Sequence, residues 1–560
     1  MIATKPMKRS ISIGETLLVL LLAAVPLLAG RYLPLIDAPQ HMAMARILVG
    51  LVRGDPGFAE IYELDPWPVP YWLYYIMTGG LSLVVSIETA NKLVLYIYTV
   101  GLAFGVREVL LAFGRNPRWW VLSVPLAWTN CFIYAFMAYL VGIPIVLFGI
   151  AATERAFRGD PGETSARWWL GVLAFLAYLA HAQAFLWLML SVAVLLMLHW
   201  RGVRWGFRAL LPVAPTALLF FAWVARAFRG AGPSSDNSTY GTLGNLGMVW
   251  EPHVARWTTA PEDLFGGATD GSNRWIGIAW IAMVVAGAWI AGREWRPGTA
   301  WGSLRHRPSG RVVVLLAAFL AAWAILPYSV RGQWYLAPRY LVFVAGMAIV
   351  AAAGWTPRHD FIRRAGIALV ALYALNTARL VRDFQPAMQG LEPLLDRIPA
   401  GQRLAHFPFD ERNTLDAQGK PIGGTSIVVD MPTSVSAFGF LPEVAGSPYG
   451  WMSPTHHASA YYLVRKWGLI GVSFAASPTN PVRYRSAHKP TALVEYEYEK
   501  VDLAAASRDF GWFLVRGPLQ GTTQRLPEFA RLEATEGTWQ LWRSRSWVSE
   551  RRVQNSGFPE

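Results

Sequence analysis

Apolar stretches of bilayer-spanning length recur through roughly the first two-thirds of the chain, and they constrain the fold more than any other feature. A helix of about 20 apolar residues crosses the hydrocarbon core of a bilayer. The 560-residue chain is 54% hydrophobic and 15% charged, with a mean hydropathy of +0.31. Ordinary soluble domains carry about 25% charged residues. We therefore predict a polytopic α-helical membrane protein.

Arginine clusters in alternate loops set the predicted topology. Loops rich in Lys and Arg stay on the cytoplasmic side. This assignment gives about eleven spans, a cytoplasmic N-terminus and an outer C-terminus. The predicted spans are residues 15–30, 90–113, 119–136, 139–153, 168–181, 184–200, 209–228, 275–291, 312–328, 340–354 and 365–381. The aromatic stretch at 67–85 could instead be a span, which would shift the later topology.

The topology divides the chain into a membrane domain at residues 1–381 and a soluble extracytoplasmic domain at residues 382–560. The outer loops of the membrane domain are residues 31–87, 229–274 and 329–339. The soluble part has strand-like runs at 425–429, 491–496, 512–515 and 539–542 and helical candidates at 458–466 and 526–532. This mixture predicts an α/β or α+β domain.

The net charge of +14 does not indicate a nucleic-acid partner. Residues 382–560 hold 19 Lys and Arg against 18 Asp and Glu, so +13 of the charge lies in the membrane part. There it forms short arginine-rich loops, which is the positive-inside pattern rather than a patch facing a polyanion. The chain also lacks a P-loop or a GxGxxG fingerprint, so nucleotide phosphate binding of that kind is unsupported.

The first outer loop offers the most informative polar group. Asp37 and His41 have i, i+4 spacing, and Arg46 follows. If the segment is helical, Asp37 and His41 share one face, and Pro39 suits the first helical turn. A charged group at a membrane face costs free energy unless it is paired with another group or serves a function. Asp37 and His41 are therefore candidates for a general base or metal ligand, and the alternative is a helix cap with an interfacial histidine.

Three further sites are predicted in the outer segments. His181 and Gln183 lie where two spans meet outside, at the depth expected for Asp37, although packing would also explain a histidine there. His253 and Arg256 lie in the long outer loop, where the Glu-Pro-His run at 251–253 has ligand types but no diagnostic metal spacing.

The third site is the short outer loop, which combines arginines with aromatic residues. Arg331, Tyr335, Arg339 and Tyr340 fit an anionic lipid head group, because arginine binds phosphate bidentately. Interfacial anchoring in the membrane is the alternative for these residues.

These elements resemble the GT-C glycosyltransferases, a superfamily that includes protein mannosyltransferases, oligosaccharyltransferases and aminoarabinose transferases. A group of uncharacterised bacterial multi-pass proteins is more similar still. Its Asp-x-Pro-x-His-x-x-x-Arg element is matched by Asp37, Pro39, His41 and, one residue late, Arg46. The turn at 136–144, the outer histidine within 180–185 and the Arg-Tyr-Leu at 339–341 resemble further elements of that group.

The resemblance implies a polyprenyl-phosphate-linked sugar donor, a first-loop Asp37 that acts on the acceptor and, as in some members of the superfamily, a divalent metal ion. It also implies a location in the bacterial inner membrane among membrane lipids. The chain lacks a second acidic pair beside Asp37 and the sequon-reading motif of oligosaccharyltransferases. The expected acceptor is therefore a glycan, lipid or other hydroxyl compound.

Two other functions remain compatible with the sequence. One is a lipid-linked glycan transporter or flippase, whose signature would be charged residues deep within broken spans. The few candidates, such as Glu108 and Glu154, lie near predicted span ends. The other is a non-catalytic assembly protein for envelope polymers, which would tolerate the loss of Asp37.

Overall fold

Helices dominate the computed structural model of the chain. It describes residues 13–35, 38–54, 58–59, 62–159, 162–230, 248–250, 252–265, 272–294, 307–330, 335–399, 404–407, 481–484, 504, 507, 511–516, 519, 524–537 and 539–546. Asp37, Arg331 and the predicted elements at 425–429, 458–466 and 491–496 lie outside these residues.

The helices of the first half are α1 (Ile13–Leu28), α2 (Ala38–Arg53), α3 (Trp72–Leu81), α4 (Ile87–Ala112), a 3-10 helix (Pro117–Trp128), α5 (Asn130–Ile133), α6 (Met137–Arg158), α7 (Glu163–Ala180), α8 (Ala182–Leu198) and α9 (Val203–Leu210). They are followed by α10 (Ala214–Gly230), α11 (His253–Phe265), α12 (Ser272–Glu294), α13 (Pro308–Ile325), α14 (Leu336–Arg339), α15 (Leu341–Ala352), α16 (Pro357–Met388), α17 (Leu391–Asp396) and α18 (Leu526–Phe529).

The protein is a multi-pass membrane protein. Among the described residues, α4, α6, α12, α13 and α16 are long and apolar enough to cross a bilayer, and the bent pair of α9 and α10 would make six. Three shorter apolar helical segments, at Ile13–Leu28, Ala182–Leu198 and Leu336–Ala352, coincide with predicted spans. The count of eleven spans therefore stays a prediction.

The third predicted span differs most from expectation. Its first part is a 3-10 helix from Pro117 to Trp128, and every residue from Trp119 to Trp128 is buried. Asn116 caps this helix by accepting the Arg118 N–H. Pro125 lies inside it and has no N–H to donate, which disfavours a continuous α-helix. The tighter helix also advances about 2 Å per residue, so fewer residues cover the same depth.

Helix α6 is the centre of the bundle and is buried over most of its length. Glycines allow its neighbours to approach closely. A Cβ on Gly142 would lie 2.6 Å from the Cβ of Ala184 in α8. A Cβ on Gly105 of α4 would lie 2.7 Å from the Cβ of Leu147. Small residues at such contacts are typical of membrane helices, because dispersion rather than hydrophobicity drives their association.

One end of the bundle carries the arginine-rich contacts. Arg118 forms an ion pair of 2.7 Å with Glu15. Arg311 forms a fully buried pair of 2.7 Å with Glu154, whose second oxygen lies 3.0 Å from His199 Nε2. The loops predicted to be cytoplasmic therefore meet at this end.

The opposite end carries strand pairings between the predicted outer segments. Strand β1 (Tyr62–Leu64) pairs antiparallel with β5 (Val482–Tyr484), and β2 (Met248–Val249) pairs antiparallel with β3 (Ser329–Val330). Asp65 N–H also donates to Pro481 O at 2.8 Å. Three outer loops and part of the C-terminal region thus share one end.

A four-stranded sheet forms the described core of the C-terminal region. Its order is β4 (Leu404–Phe407), β6 (Trp512–Arg516), β8 (Trp539–Ser544) and β7 (Ala530–Glu536), with β4 parallel to β6 and the other pairs antiparallel. Strands β6 and β8 agree with the predicted runs at 512–515 and 539–542. The predicted helix at 526–532 ends early at Phe529, because from Ala530 the chain pairs with β8 as an edge strand.

Candidate functional site

A polar cluster connects the first outer loop with the later outer turns. We define it as His41, Tyr75, Tyr71, His181, Gln183 and Arg339. It begins in α2, passes through α3, continues at the junction of α7 and α8 and ends in α14. Contacts join Tyr71, His181, Gln183 and Arg339 to one another, and His41 contacts Tyr75 of the helix that Tyr71 precedes.

His41 lies on the buried face of α2, where it is 6% exposed. Its Nδ1 lies 2.8 Å from the hydroxyl of Tyr75 in α3, and Tyr74 packs against it edge-on at 5.5 Å. Burial lowers the pKa of His41 from 6.5 to about 3. The imidazole is therefore neutral at physiological pH and a weak proton acceptor, and this low basicity favours a positioning role over that of a general base.

Tyr71 joins the first outer loop to the body of the bundle. Its backbone is left-handed, with φ of 79°, a conformation that costs a non-glycine residue energy and persists when surrounding contacts impose it. Its hydroxyl lies 2.9 Å from His181 Nε2, and the two rings stack at 4.8 Å. Tyr71 therefore places its hydroxyl next to His181, although the two residues belong to separate segments.

His181 is the N-cap of α8 and is buried. Its Nδ1 accepts the backbone N–H of Gln183 at 3.0 Å. An Nδ1 that accepts carries no proton, so the neutral ring holds its proton on Nε2 and donates it to Tyr71. Both ring nitrogens are thus engaged, and His181 has no lone pair left for a metal ion.

Arg339 is the cationic end of the cluster and is 5% exposed. Its Nε donates to Tyr335 O at 3.1 Å, and its Nη1 lies 3.5 Å from Gln183 Oε1. The guanidinium carbon sits 3.9 Å from the centre of the Phe136 ring. Tyr139 donates to the Arg339 carbonyl at 2.7 Å. These contacts fix the position and plane of the guanidinium.

Tyr335 and Asp263 extend the site beside Arg339. The Tyr335 hydroxyl donates to Asp263 Oδ1 at 2.6 Å, and its ring packs edge-on against Tyr134 at 5.0 Å. Burial, with the Asp263 carboxylate as a smaller cause, raises the pKa of Tyr335 well above its usual value. The phenol therefore stays protonated and remains a donor.

Sequence reasoning did not single out Asp263, which lies within the predicted outer loop at 229–274, and it assigned no site role to Tyr71 or Phe136. The helical pattern of residues 253–265 could have indicated that Asp263 has a fixed position on a helix. The contacts of Tyr71 and Phe136 cannot be read from the residues around them, because their partners lie more than 100 residues away.

Other predicted residues lie in different surroundings. Tyr340 is buried, with its ring stacked on Trp187 at 4.2 Å and 9°. Arg256 donates to the Trp323 and Ala324 carbonyls, both at 2.8 Å, and so caps the end of α13. His253 is exposed at the start of α11, and Arg46 is half-buried on α2. Tyr340 and Arg256 are thus engaged in packing and capping.

Within the described part of the chain, no group of three His, Cys, Asp or Glu side chains is arranged to hold a metal ion. Cys131, the one cysteine, is buried.

No protein-family model matches the chain, and no curated protein matches its sequence. Solved structures do match it. The chain has the fold of ArnT. The apo structure of ArnT from Cupriavidus metallidurans aligns with a TM-score of 0.54 over 95% of this chain and 97% of that one, at 11% identity. The structure of the same protein bound to undecaprenyl phosphate aligns with a TM-score of 0.55 over 98% and 100%, also at 11% identity.

The match spans both the helical bundle and the C-terminal region, so the two parts together form one known architecture. At 11% identity it shows the fold alone, and the chemistry must be argued from the residues of this chain.

Proposed function

We propose that the protein is a membrane glycosyltransferase that moves a sugar from a polyprenyl-phosphate carrier to a hydroxyl acceptor on the outer face of the bacterial inner membrane. The fold supports this, since ArnT, a GT-C glycosyltransferase, has been solved with undecaprenyl phosphate bound. A lipid-linked donor stays in the bilayer, so the enzyme that uses it needs a site at the membrane surface.

The buried guanidinium of Arg339 carries the proposal. It lies at the end of the bundle where the predicted outer segments meet, and neighbours from three segments hold it in place. A cation fixed before the substrate arrives stabilises developing charge without reorganisation. In transfer, the bond between the sugar and the phosphate oxygen breaks and the phosphate gains charge. Arg339 would stabilise that leaving group, with Arg331 as a second phosphate ligand.

The acceptor hydroxyl loses a proton as its oxygen bonds to the sugar. We assign that proton to Asp37, the residue that immediately precedes α2 in the sequence. His41, which burial keeps neutral, would orient α2 against α3 through Tyr75. His181 and Gln183 would hold Arg339, and Asp263 and Tyr335 would border the sugar or acceptor side of the site.

The experiment compares Asp37→Asn and Arg339→Ala with the unchanged protein in nanodiscs. Two quantities are measured, namely binding of undecaprenyl phosphate and transfer of label from a pool of polyprenyl-phosphate sugars. Arg339→Ala should weaken lipid binding and reduce transfer about 100-fold or more, the size seen when a preorganised charge-stabilising donor is removed. Asp37→Asn should reduce transfer to a similar extent while lipid binding is retained.

Arg379→Gln is the matched control. Arg379 lies near the same end of the bundle in a surface pair of 2.9 Å with Asp383, so its loss changes charge without touching the cluster. If Arg339→Ala binds and transfers as well as Arg379→Gln, the site assignment is wrong. If no lipid-linked sugar is consumed by any form, the transporter and assembly functions replace the enzyme proposal.

A further inference from the structure

Helix α9 has one buried side that packs against the bundle and two exposed stripes that take no part in this packing. Gly206 and Ala209 are buried against the body of the protein. The side chains of Val203, Phe207 and Leu211 are 63%, 72% and 65% exposed and recur every four residues.

The basic residues of α9 form a second stripe. Arg204 and Arg208 are both exposed and also four residues apart. At about 100° per residue, they lie beside the apolar stripe and away from the buried side. An apolar stripe flanked by arginines is the pattern of helices that lie in a membrane interface.

The orientation of α9 fits that pattern. It meets α10 at an angle of 69°. Leu218 and Phe221 of α10 are 71% and 66% exposed, as expected of a helix that faces lipid. The sharp bend therefore turns α9 away from the direction of α10, and both helices carry exposed apolar side chains.

Neighbouring contacts fix the depth of α9. Arg201, just before the helix, donates to the carbonyls of Phe157 and Arg158 at the end of α6, in the arginine-rich end of the bundle. A Cβ on Gly171 of α7 would lie 2.9 Å from the Pro212 carbonyl oxygen, which places the middle of α7 beside the turn that follows α9.

The turn of α7 that precedes Gly171 carries exposed aromatic residues. Trp168 and Trp169 are 64% and 51% exposed. Tryptophan is enriched where lipid head groups meet the hydrocarbon. The end of α9 therefore lies within about one helical turn of that level.

We propose that α9 lies in the head-group layer of the leaflet at the arginine-rich end of the bundle, with Val203, Phe207 and Leu211 in the acyl region and Arg204 and Arg208 bound to the phosphates of anionic phospholipids. The surface is thus an anionic-lipid site at the opposite end of the molecule from the Arg339 cluster. It does not depend on the proposed transferase activity.

The first test places a spin label on Phe207→Cys or Arg204→Cys in a Cys131→Ala background, with the full chain in nanodiscs of phosphatidylcholine and phosphatidylglycerol. Collision with oxygen reports the acyl region, and collision with a water-soluble nickel chelate reports the aqueous side. The label at 207 should be reached by oxygen and shielded from nickel, and the label at 204 should be markedly more exposed to nickel. Equal nickel access at both positions, or exclusion of both reagents at 207 by covering protein, would overturn the proposal.

The second test measures binding of phosphatidylglycerol to the purified protein in detergent by native mass spectrometry. Each arginine near an anionic surface contributes about a five-fold change in affinity. The double variant Arg204→Gln/Arg208→Gln should therefore bind roughly 25-fold more weakly. Arg525→Gln/Arg531→Gln removes two exposed arginines from the C-terminal region and should bind as the unchanged protein does.

An unchanged affinity in the α9 variant would refute the lipid site. Displacement of the lipid by inorganic phosphate at equal concentration would show a simple anion site in its place. The wild-type preference for phosphatidylglycerol over phosphatidylcholine should disappear in the α9 variant alone.

Discussion

At the residue scale, the polar cluster shows how buried polar groups are kept in place within an apolar bundle. His41 Nδ1, both ring nitrogens of His181, and Nε and Nη1 of Arg339 have defined partners. A buried polar group left without a partner would cost about 1–3 kcal/mol. His181 is the central member, since it caps α8, binds Tyr71 and positions Gln183 against Arg339. Changes at His181 should therefore act on Arg339 through Gln183.

The low pKa of His41, about 3, predicts a pH dependence of stability. Between about pH 6.5 and 3 the unfolded chain binds a proton at this residue and the folded protein does not. The free energy of unfolding should therefore decrease on acidification, by up to roughly 1.4 kcal/mol per pH unit below pH 6. His41→Gln should flatten this decrease, measured as unfolding in detergent micelles between pH 7.5 and 5.

His253→Gln provides the control for that titration. His253 is exposed, so its loss should leave the slope of the unchanged protein intact. An equal slope in His41→Gln and wild type would mean that other groups cause the acid sensitivity.

At the element scale, the approach of α6 to α8 determines where the cluster is built. Gly142 of α6 faces Ala180 and Ala184, which flank His181 and Gln183 in the sequence. The contact lies directly beside the helix junction that carries the cluster. Any side chain at 142 must therefore displace α8 or α6.

Gly142→Ala tests this contact. The added methyl group would lie 2.6 Å from the Ala184 Cβ, and overpacking of this kind costs about 1–3 kcal/mol. We expect a lower unfolding temperature in detergent and weaker binding of undecaprenyl phosphate. Gly292→Ala in α12 meets nothing within 4 Å and should be neutral or slightly stabilising. Equal stability of the two variants would contradict the close approach.

At the scale of the whole molecule, strand pairing connects the C-terminal region to the first outer loop. Glu63 of β1 lies opposite Arg483 of β5. A second connection comes from Arg31, which pairs with Glu392 of α17 at 2.8 Å. The segment that contains Asp37 is therefore bounded by residues that contact the C-terminal region.

A disulfide should form between Glu63→Cys and Arg483→Cys in a Cys131→Ala background. Residues opposite each other in an antiparallel pair have Cα atoms about 4.5–5.5 Å apart, within the range of disulfides. The cross-linked peptide would be detected by mass spectrometry after oxidation in membranes. Glu63→Cys with Arg531→Cys on β7 should remain reduced, and equal cross-linking of both pairs would contradict the pairing.

The sequence predicted the membrane class and the positions of most helices, because the apolar length of a span and the charge of a loop are local properties. It also singled out His41, His181, Gln183 and Arg339, since polar side chains at span ends stand out in an apolar chain, and their roles in a site stay a prediction. It did not predict the 3-10 helix at 117–128 or the early end of the helix at Phe529, because both depend on local backbone hydrogen bonding and strand pairing.

By itself, the sequence determined that this chain builds a helical membrane body, with arginines gathered in alternate loops, because burial of apolar helices in lipid requires no knowledge of their partners. Only the tertiary structure decided that Tyr71 reaches His181, that Phe136 lies under Arg339 and that Arg256 caps α13 instead of facing a ligand. These contacts join segments far apart in the chain. Their geometry depends on how closely the helices pack, as where Gly105 and Gly142 let α4 and α8 approach α6.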